Sequence, residues 1–235
     1  MNSKSKYGDD EMTESFTDNY IFFPLGDVLL PLLHYLKITP NMVTLMSTLS
    51  TTTSIYYILN DNFKKFSIFY LLGYFFDCID GRLARKYNMG SIFGMVFDSV
   101  SDIVTNYMLL IGYIYKFYNK KNFGFLVTIL IVVSYNLSVS YGINEAKLCY
   151  QKNKHDNFYK YKKEQLKDFG KTNLEKIFKN IFLNVHKFSY ISYKNSFSKY
   201  NEKDITNTLN ITKEIGFGNY SIFIVVLVYY TMNYN

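Results

Sequence analysis

The chain has 235 residues, the length of one ordinary domain, and a formal net charge of +7. Hydrophobic residues make up 49% of it and gather into long runs between Lys, Asn and Asp clusters, which predicts a polytopic membrane protein. Two cysteines, Cys78 and Cys149, exclude a disulfide framework. The lysines come without the Gly-rich or Arg-rich element that would point to a nucleic-acid partner.

Residues 1–19 are polar and mostly acidic and read as a flexible tail, with no apolar core of a secretory signal. Residues 20–37 place Phe22, Phe23, Leu25, Val28, Leu29, Leu30, Leu32 and Leu33 around Asp27 and His34, the pattern of an amphipathic helix lying in a membrane interface. Thr39-Pro40-Asn41 breaks the chain. Pro40 disfavours a helical Thr39, and Asn41 is the expected cap of the next helix.

The first span is expected from residue 42 to 59, ending at the Asn60-Asp61-Asn62 turn. The second apolar run, 66–76, is short unless its helix continues through a cluster of charges to Arg85. Asn88, Gly90 and Ser91 punctuate the connection to a third span at 92–115, and residues 116–122 lead to a fourth at 123–141. From 145 to 205 lysines outnumber acids two to one, as in a cytoplasmic segment facing anionic headgroups. Within it Leu174, Ile177, Phe178, Ile181, Phe182 and Val185 form a helical stripe too broken by Lys and Asn to cross a membrane, so a surface helix is expected. The run 217–232 reads as a short final span.

The expected organisation is therefore a tail at 1–19, a membrane core at 20–143, a basic segment at 144–216 and a last membrane helix at 217–235. The fold class is all-α, a polytopic integral membrane bundle of about five to six spans with an N-terminal interfacial helix. With a cytoplasmic N-terminus, Arg82, Arg85, Lys86 and the basic segment share the cytoplasmic side, and the charged cluster faces it. His34, His155 and His186 stand isolated and read as structural.

The charged cluster carries the chemistry. Ionisable residues at membrane depth are costly, and such a residue is first suspected of function. At 100° per residue Asp77, Asp80, Gly81, Ala84 and Arg85 share one helix face, and Gly94, Asp98 and Asp102 share a face of the next helix. A short turn joins the two, so antiparallel packing with converging carboxylates is expected. Converging carboxylates repel unless cations lie among them, and an oxygen-only set favours Mg²⁺ or Mn²⁺ over zinc. Gly81, Ala84 and Gly94 leave room for a ligand beside the backbone, and Arg85 offers a fork to phosphate oxygens.

At these residues the chain resembles the CDP-alcohol phosphotransferase family, the class-I CDP-alcohol phosphatidyltransferases. The family motif is D-x-x-D-G-x-x-A-R, eight residues, then G-x-x-x-D-x-x-x-D. Asp77, Asp80, Gly81, Ala84, Arg85, Gly94, Asp98 and Asp102 match every fixed position and both spacings. Thr39-Pro40-Asn41 and Thr44 are similar to the family's approach to its first span, and the resemblance covers roughly residues 20–143.

It implies that Asp77, Asp80 and Asp98 hold two divalent ions on a CDP-linked diphosphate. Asp102 would ligate the second ion and serve as general base, and Gly81, Ala84, Arg85 and Gly94 would line the nucleotide and phosphate site. The implied reaction moves a substituted phosphate, in the first reading phosphatidyl from CDP-diacylglycerol, to a hydroxyl acceptor with release of CMP in phospholipid biosynthesis. Alternatives are transfer from CDP-choline or CDP-ethanolamine to diacylglycerol, and a catalytically degenerate protein of the same fold. A membrane prenyltransferase would also bind Mg²⁺-diphosphate through Asp-rich helices, without needing the Gly81, Ala84-Arg85 and Gly94 spacing. Partners would be the CDP-linked lipid or alcohol and membrane lipids, with a homodimer left open. The family usually has six spans; five are counted here, with a long basic insertion.

Overall fold

The computed structural model describes residues 15–120, 123–153, 157–197 and 217–234, and the regular structure among these described residues is all helical. His155, residues 1–14 of the expected tail and residues 198–216 of the basic segment lie outside the described residues. The chain divides into two compact units. One comprises mainly Phe16–Leu130 and Phe217–Asn235, the other mainly Ile131–Gly216.

In the first unit a π-helical turn at Asp18–Phe22 runs into α1, Phe23–Tyr35. The sequence places residues up to 19 in a tail, but Asp18 is buried and bonded to Tyr74, so the packed structure includes Asp18. One face of α1 buries Leu30 and Leu33 against Val43, Ile79 and Leu83, while Leu25, Val28 and Leu32 stay exposed. Apolar side chains therefore lie on both the buried and the exposed faces of α1. The helix closes at Lys37, which takes the left-handed conformation (φ 56°) as Ile38 N–H reaches back to Leu33 O.

Helix α2, Pro40–Leu59, corrects the expected cap. Thr39 is the N-cap, its hydroxyl accepting Met42 N–H at 3.3 Å, and Pro40 occupies the first helical position, where no N–H is needed. Asn41 therefore lies inside the first turn, its side chain free to serve elsewhere. Three hydroxyls of α2 bond within the helix: Thr48 to Thr44 O, Thr52 to Thr48 O and Ser54 to Thr51 O. Small polar residues let α2 be buried closely against its neighbours, and Ser47, Ser50 and Ser54 are buried.

Helix α3, Phe63–Lys86, is capped by Asn62 and ends at Asn88, whose positive φ of 54° lets Met89 N–H bond Ala84 O. Helix α4, Ile92–Phe117, starts from Ser91, whose hydroxyl accepts Gly94 N–H at 2.9 Å. Direct α3–α4 packing is the sequence expectation. Instead α2 is the principal packing partner of both, and α3 and α4 approach each other much less.

Gly73 shows why α2 wins the contact. A Cβ there would overlap the Thr51 hydroxyl and stand 3.0 Å from Thr51 N and 3.2 Å from Ser47 O. Backbones that close are possible only between small residues. The far end of the unit is an apolar cluster of Ile55, Ile58, Phe66, Tyr113, Phe117, Leu126 and Leu130. The last helix, α8 (Phe217–Tyr234), adds Ile224 and Val228 to it.

The second unit contains most of α5 (Phe123–Asn153), α6 (Phe158–Gln165) and α7 (Asn173–Phe197). The fourth apolar run was expected to end at 141, but α5 continues to Asn153 because nothing in 142–153 breaks a helix. The stripe expected to form a surface helix lies in the longer α7, which packs on α5. Gly142 would place a Cβ 2.8 Å from Ser189 O, Ser138 bonds Ser189, and the Tyr141 hydroxyl lies 3.0 Å from His186 Nε2. Leu174, Ile177, Phe188 and Ile191 of α7 remain exposed.

Among the described residues, one stretch is long and apolar enough to cross a membrane by length and composition, Leu126–Ala146. Helices α2, α3 and α4, with 20, 24 and 26 residues, have the length. Ser and Thr on α2, and charges on α3 and α4, dilute their apolar content.

Candidate active site

The acidic residues meet where α3 and α4 diverge. Asp77, one turn before the glycine at 81, offers a carboxylate oxygen that lies within 4.8 Å of one from Asp98 and one from Asp102. Asp98 and Asp102 reach this point together because they are four residues apart on α4. The Asp77 and Asp102 carboxylates offer oxygens within 4.8 Å of each other, a separation at which two negative charges repel unless a proton or a cation lies between them.

Asp80 stands apart from this trio. It is 4% exposed, and the Thr44 hydroxyl donates to its Oδ2 at 2.5 Å, closer than to Pro40 O at 3.2 Å. Asp80 lies three residues after Asp77 on the same face of α3 and so borders the same space. Thr44, in the first turns of α2, thus orients a carboxylate on α3. Thr44→Val keeps the shape and removes the donor, and losing a bond to a buried polar group costs about 1–3 kcal/mol. Unfolding of the purified variant in detergent should show that loss, and unchanged stability would remove Thr44 from this role.

The small residues do what their size allows. A Cβ on Gly81 would lie 3.0 Å from an Arg85 guanidinium nitrogen, so glycine gives the Arg85 head room over the helix face. A Cβ on Gly94 would lie 2.8 Å from Asn41 Oδ1 and 3.0 Å from Ser91 Oγ. Asn41, expected as a cap, instead borders the acidic site beside Gly94. Ala84 is half-buried on the face it shares with Asp77 and Asp80.

The next residue, Arg82, was expected in a cytoplasmic connection and is buried. Its Nη2 donates to Asp27 Oδ2 at 2.7 Å, and its guanidinium sits 4.3 Å from the centre of the Phe23 ring. The pair ties α1 to the motif helix. Sequence reading missed it because a lone Arg and a lone Asp 55 positions apart carry no local signal.

The donor set suits a hard divalent ion. Around an octahedral Mg²⁺ at about 2.1 Å adjacent ligand oxygens lie about 3 Å apart and opposite ones about 4.2 Å, so three oxygens already within 4.8 Å of one another would draw together to hold an ion. Histidine and thiol donors are engaged elsewhere among the described residues. His34 stacks on Tyr87 at 3.8 Å, His186 bonds Tyr141, Cys78 lies by Asp18 and Cys149 is buried in the second unit.

Comparison with known proteins adds the following. Residues 37–161, a little over half of the chain, match the family model described as CDP-alcohol phosphatidyltransferase. The chain is 33% identical over 100 residues to a CDP-diacylglycerol–serine O-phosphatidyltransferase of Helicobacter pylori, covering 42% of each protein. It is 26% identical over 93 residues to a CDP-diacylglycerol–glycerol-3-phosphate 3-phosphatidyltransferase of Aquifex aeolicus, covering 40% of this chain and 51% of that protein. A cardiolipin synthase (CMP-forming)/mitochondrial hydrolase fusion protein of Schizosaccharomyces pombe is 36% identical over 72 residues, 31% of this chain and 12% of that protein. The matched stretches thus span about half or less of these relatives. No solved structure matches the chain.

Proposed function

Because the chain belongs to the CDP-alcohol phosphatidyltransferase family, we propose that it transfers a phosphatidyl group from CDP-diacylglycerol to a small hydroxylated acceptor and releases CMP. The observation that carries this reading is the convergence of Asp77, Asp98 and Asp102 within 4.8 Å, with Asp80 nearby on α3 but bonded to Thr44. The relatives named for serine and glycerol 3-phosphate make those the first acceptors to try.

Asp77, Asp80, Asp98 and Asp102 would hold two divalent ions, Mg²⁺ or Mn²⁺, which when bound would neutralise the diphosphate and the departing CMP. The chain's own residues do the rest. Gly81, Ala84 and Gly94 leave space for the nucleotide and phosphates, and Arg85 donates its guanidinium fork to phosphate oxygens. Asp102 accepts the proton of the acceptor hydroxyl, whose oxygen attacks the β-phosphorus. The bond from that phosphorus to CMP breaks and a phosphodiester lipid remains.

The test is metal-dependent CMP release by the purified protein. CDP-diacylglycerol is offered with serine, glycerol 3-phosphate or inositol, and CDP-choline or CDP-ethanolamine with diacylglycerol. Turnover in the first arm identifies the acceptor. Turnover only in the second moves the substrate class, and silence in every arm, with the protein folded, defeats the reading.

The same proposal includes a multi-pass topology, with α2, α3, α4, α5 and α8 as spans, α1 and α7 at the interface, and the acidic site facing the cytoplasm. Outward apolar side chains support it: Leu45, Leu49 and Tyr56 on α2, Tyr107, Ile111 and Tyr115 on α4, and Val226 and Tyr230 on α8. Single cysteines in a Cys-free background, probed with a membrane-impermeant maleimide, should label residues 61 and 90 from opposite sides. Labelling of both from one side would show that α3 does not cross.

A further inference from the structure

A second set of polar contacts lies one turn from Asp77. Asp18 is 3% exposed, its Oδ1 accepting from the Tyr74 hydroxyl at 2.7 Å and its Oδ2 from Gly218 N–H at 3.2 Å. Beside it the Thr17 hydroxyl donates to Asn219 Oδ1 at 2.9 Å. A Cβ on Gly218 would overlap both the Asp18 carboxylate and the Thr17 hydroxyl, so the close approach depends on glycine there. The carboxylate also complements the positive end of the α8 dipole.

On α3, Tyr74 precedes Asp77 by three residues and Cys78 follows it, with Cys78 Sγ 4.0 Å from Asp18 Oδ1. Asp18 therefore grips the stripe of α3 adjoining Asp77. Tyr70 of α3 and Tyr220 of α8 belong to one packed cluster, which places the first turn of α8 near the same helix.

We infer that Asp18 is a positioning residue for the acidic site. By tying α3 to the first turn of α8 it fixes the rotation of α3 about its axis, and with it the reach of Asp77 toward Asp98 and Asp102. The inference rests on the metal-site part of the reading above. The lever is long enough to matter: with side chains about 5–6 Å from the axis, a rotation of about 20° moves a carboxylate about 2 Å, as much as a whole Mg–O bond.

The test is Mn²⁺ binding by the full chain in detergent, read from the electron paramagnetic resonance of free Mn²⁺, with CMP release measured in parallel. Asp18→Ala should keep its helical circular dichroism yet bind Mn²⁺ about tenfold more weakly, the scale of coupling through one packed network. Tyr74→Phe should lose less, about threefold, and the double variant should be no weaker than Asp18→Ala. Wild-type affinity in a folded Asp18→Ala, or losses that simply add, would overturn the inference. If Asp18→Ala does not fold, Tyr74→Phe decides, and wild-type affinity in it overturns the clasp. A wild-type protein that binds Mn²⁺ but releases no CMP defeats the proposed reaction while leaving the clasp to stand or fall on affinity. One that binds no Mn²⁺ defeats both.

Discussion

Asp102→Asn should leave the protein folded and, once Mn²⁺ is raised enough to refill the site, still lower CMP release about 100- to 10,000-fold, the usual contribution of a general base. The asparagine amide retains an oxygen for a cation but cannot accept the acceptor's proton. Asp102 is the candidate because it shares the α4 face with Asp98, one turn away, and meets Asp77 across the space between α3 and α4. The check pairs single-turnover CMP release with Mn²⁺ binding on one preparation. Full turnover in the variant would remove Asp102 from the role of base.

Asp98→Asn should fail differently. Removing a negative ligand weakens metal binding, so the Mn²⁺ concentration for half-maximal turnover should rise by at least about 100-fold, more than outer partners of a metal site usually cost. High Mn²⁺ should then restore part of the activity, whereas it should not rescue Asp102→Asn. Chelation of the wild-type protein should abolish turnover, and re-addition of Mg²⁺ or Mn²⁺ should restore it. A metal titration of both variants separates ligand from base, and equal metal dependence in wild type and Asp98→Asn would exclude Asp98 as a ligand.

Much of the site was legible in the sequence because its logic is local. Asp98 and Asp102 share a face by helical periodicity alone, and a short turn returns that face toward Asp77. The breaks at Thr39-Pro40 and Asn88–Ser91 were legible for the same reason, since backbone stereochemistry there involves neighbours only. Asn41 was misplaced by one local ambiguity. Both Thr39 and Asn41 can cap, and Pro40 at the first helical position decides for Thr39.

The identities of the carboxylates, the spacing of the glycines around them and the two helix faces follow from the chain order. They require only 3.6 residues per turn and the cost of charge in apolar surroundings. Which helices touch does not follow. That α2 packs against both α3 and α4 depends on Gly73 meeting Thr51 and Ser47. The separation of Asp80 from the other three depends on Thr44, 36 positions away. The burial of Arg82 depends on Asp27, and the hold on α3 near Asp77 depends on Asp18 reaching Gly218, 200 positions away. Such pairs leave no periodic trace, because their energies come from contacts that exist only once the helices are packed.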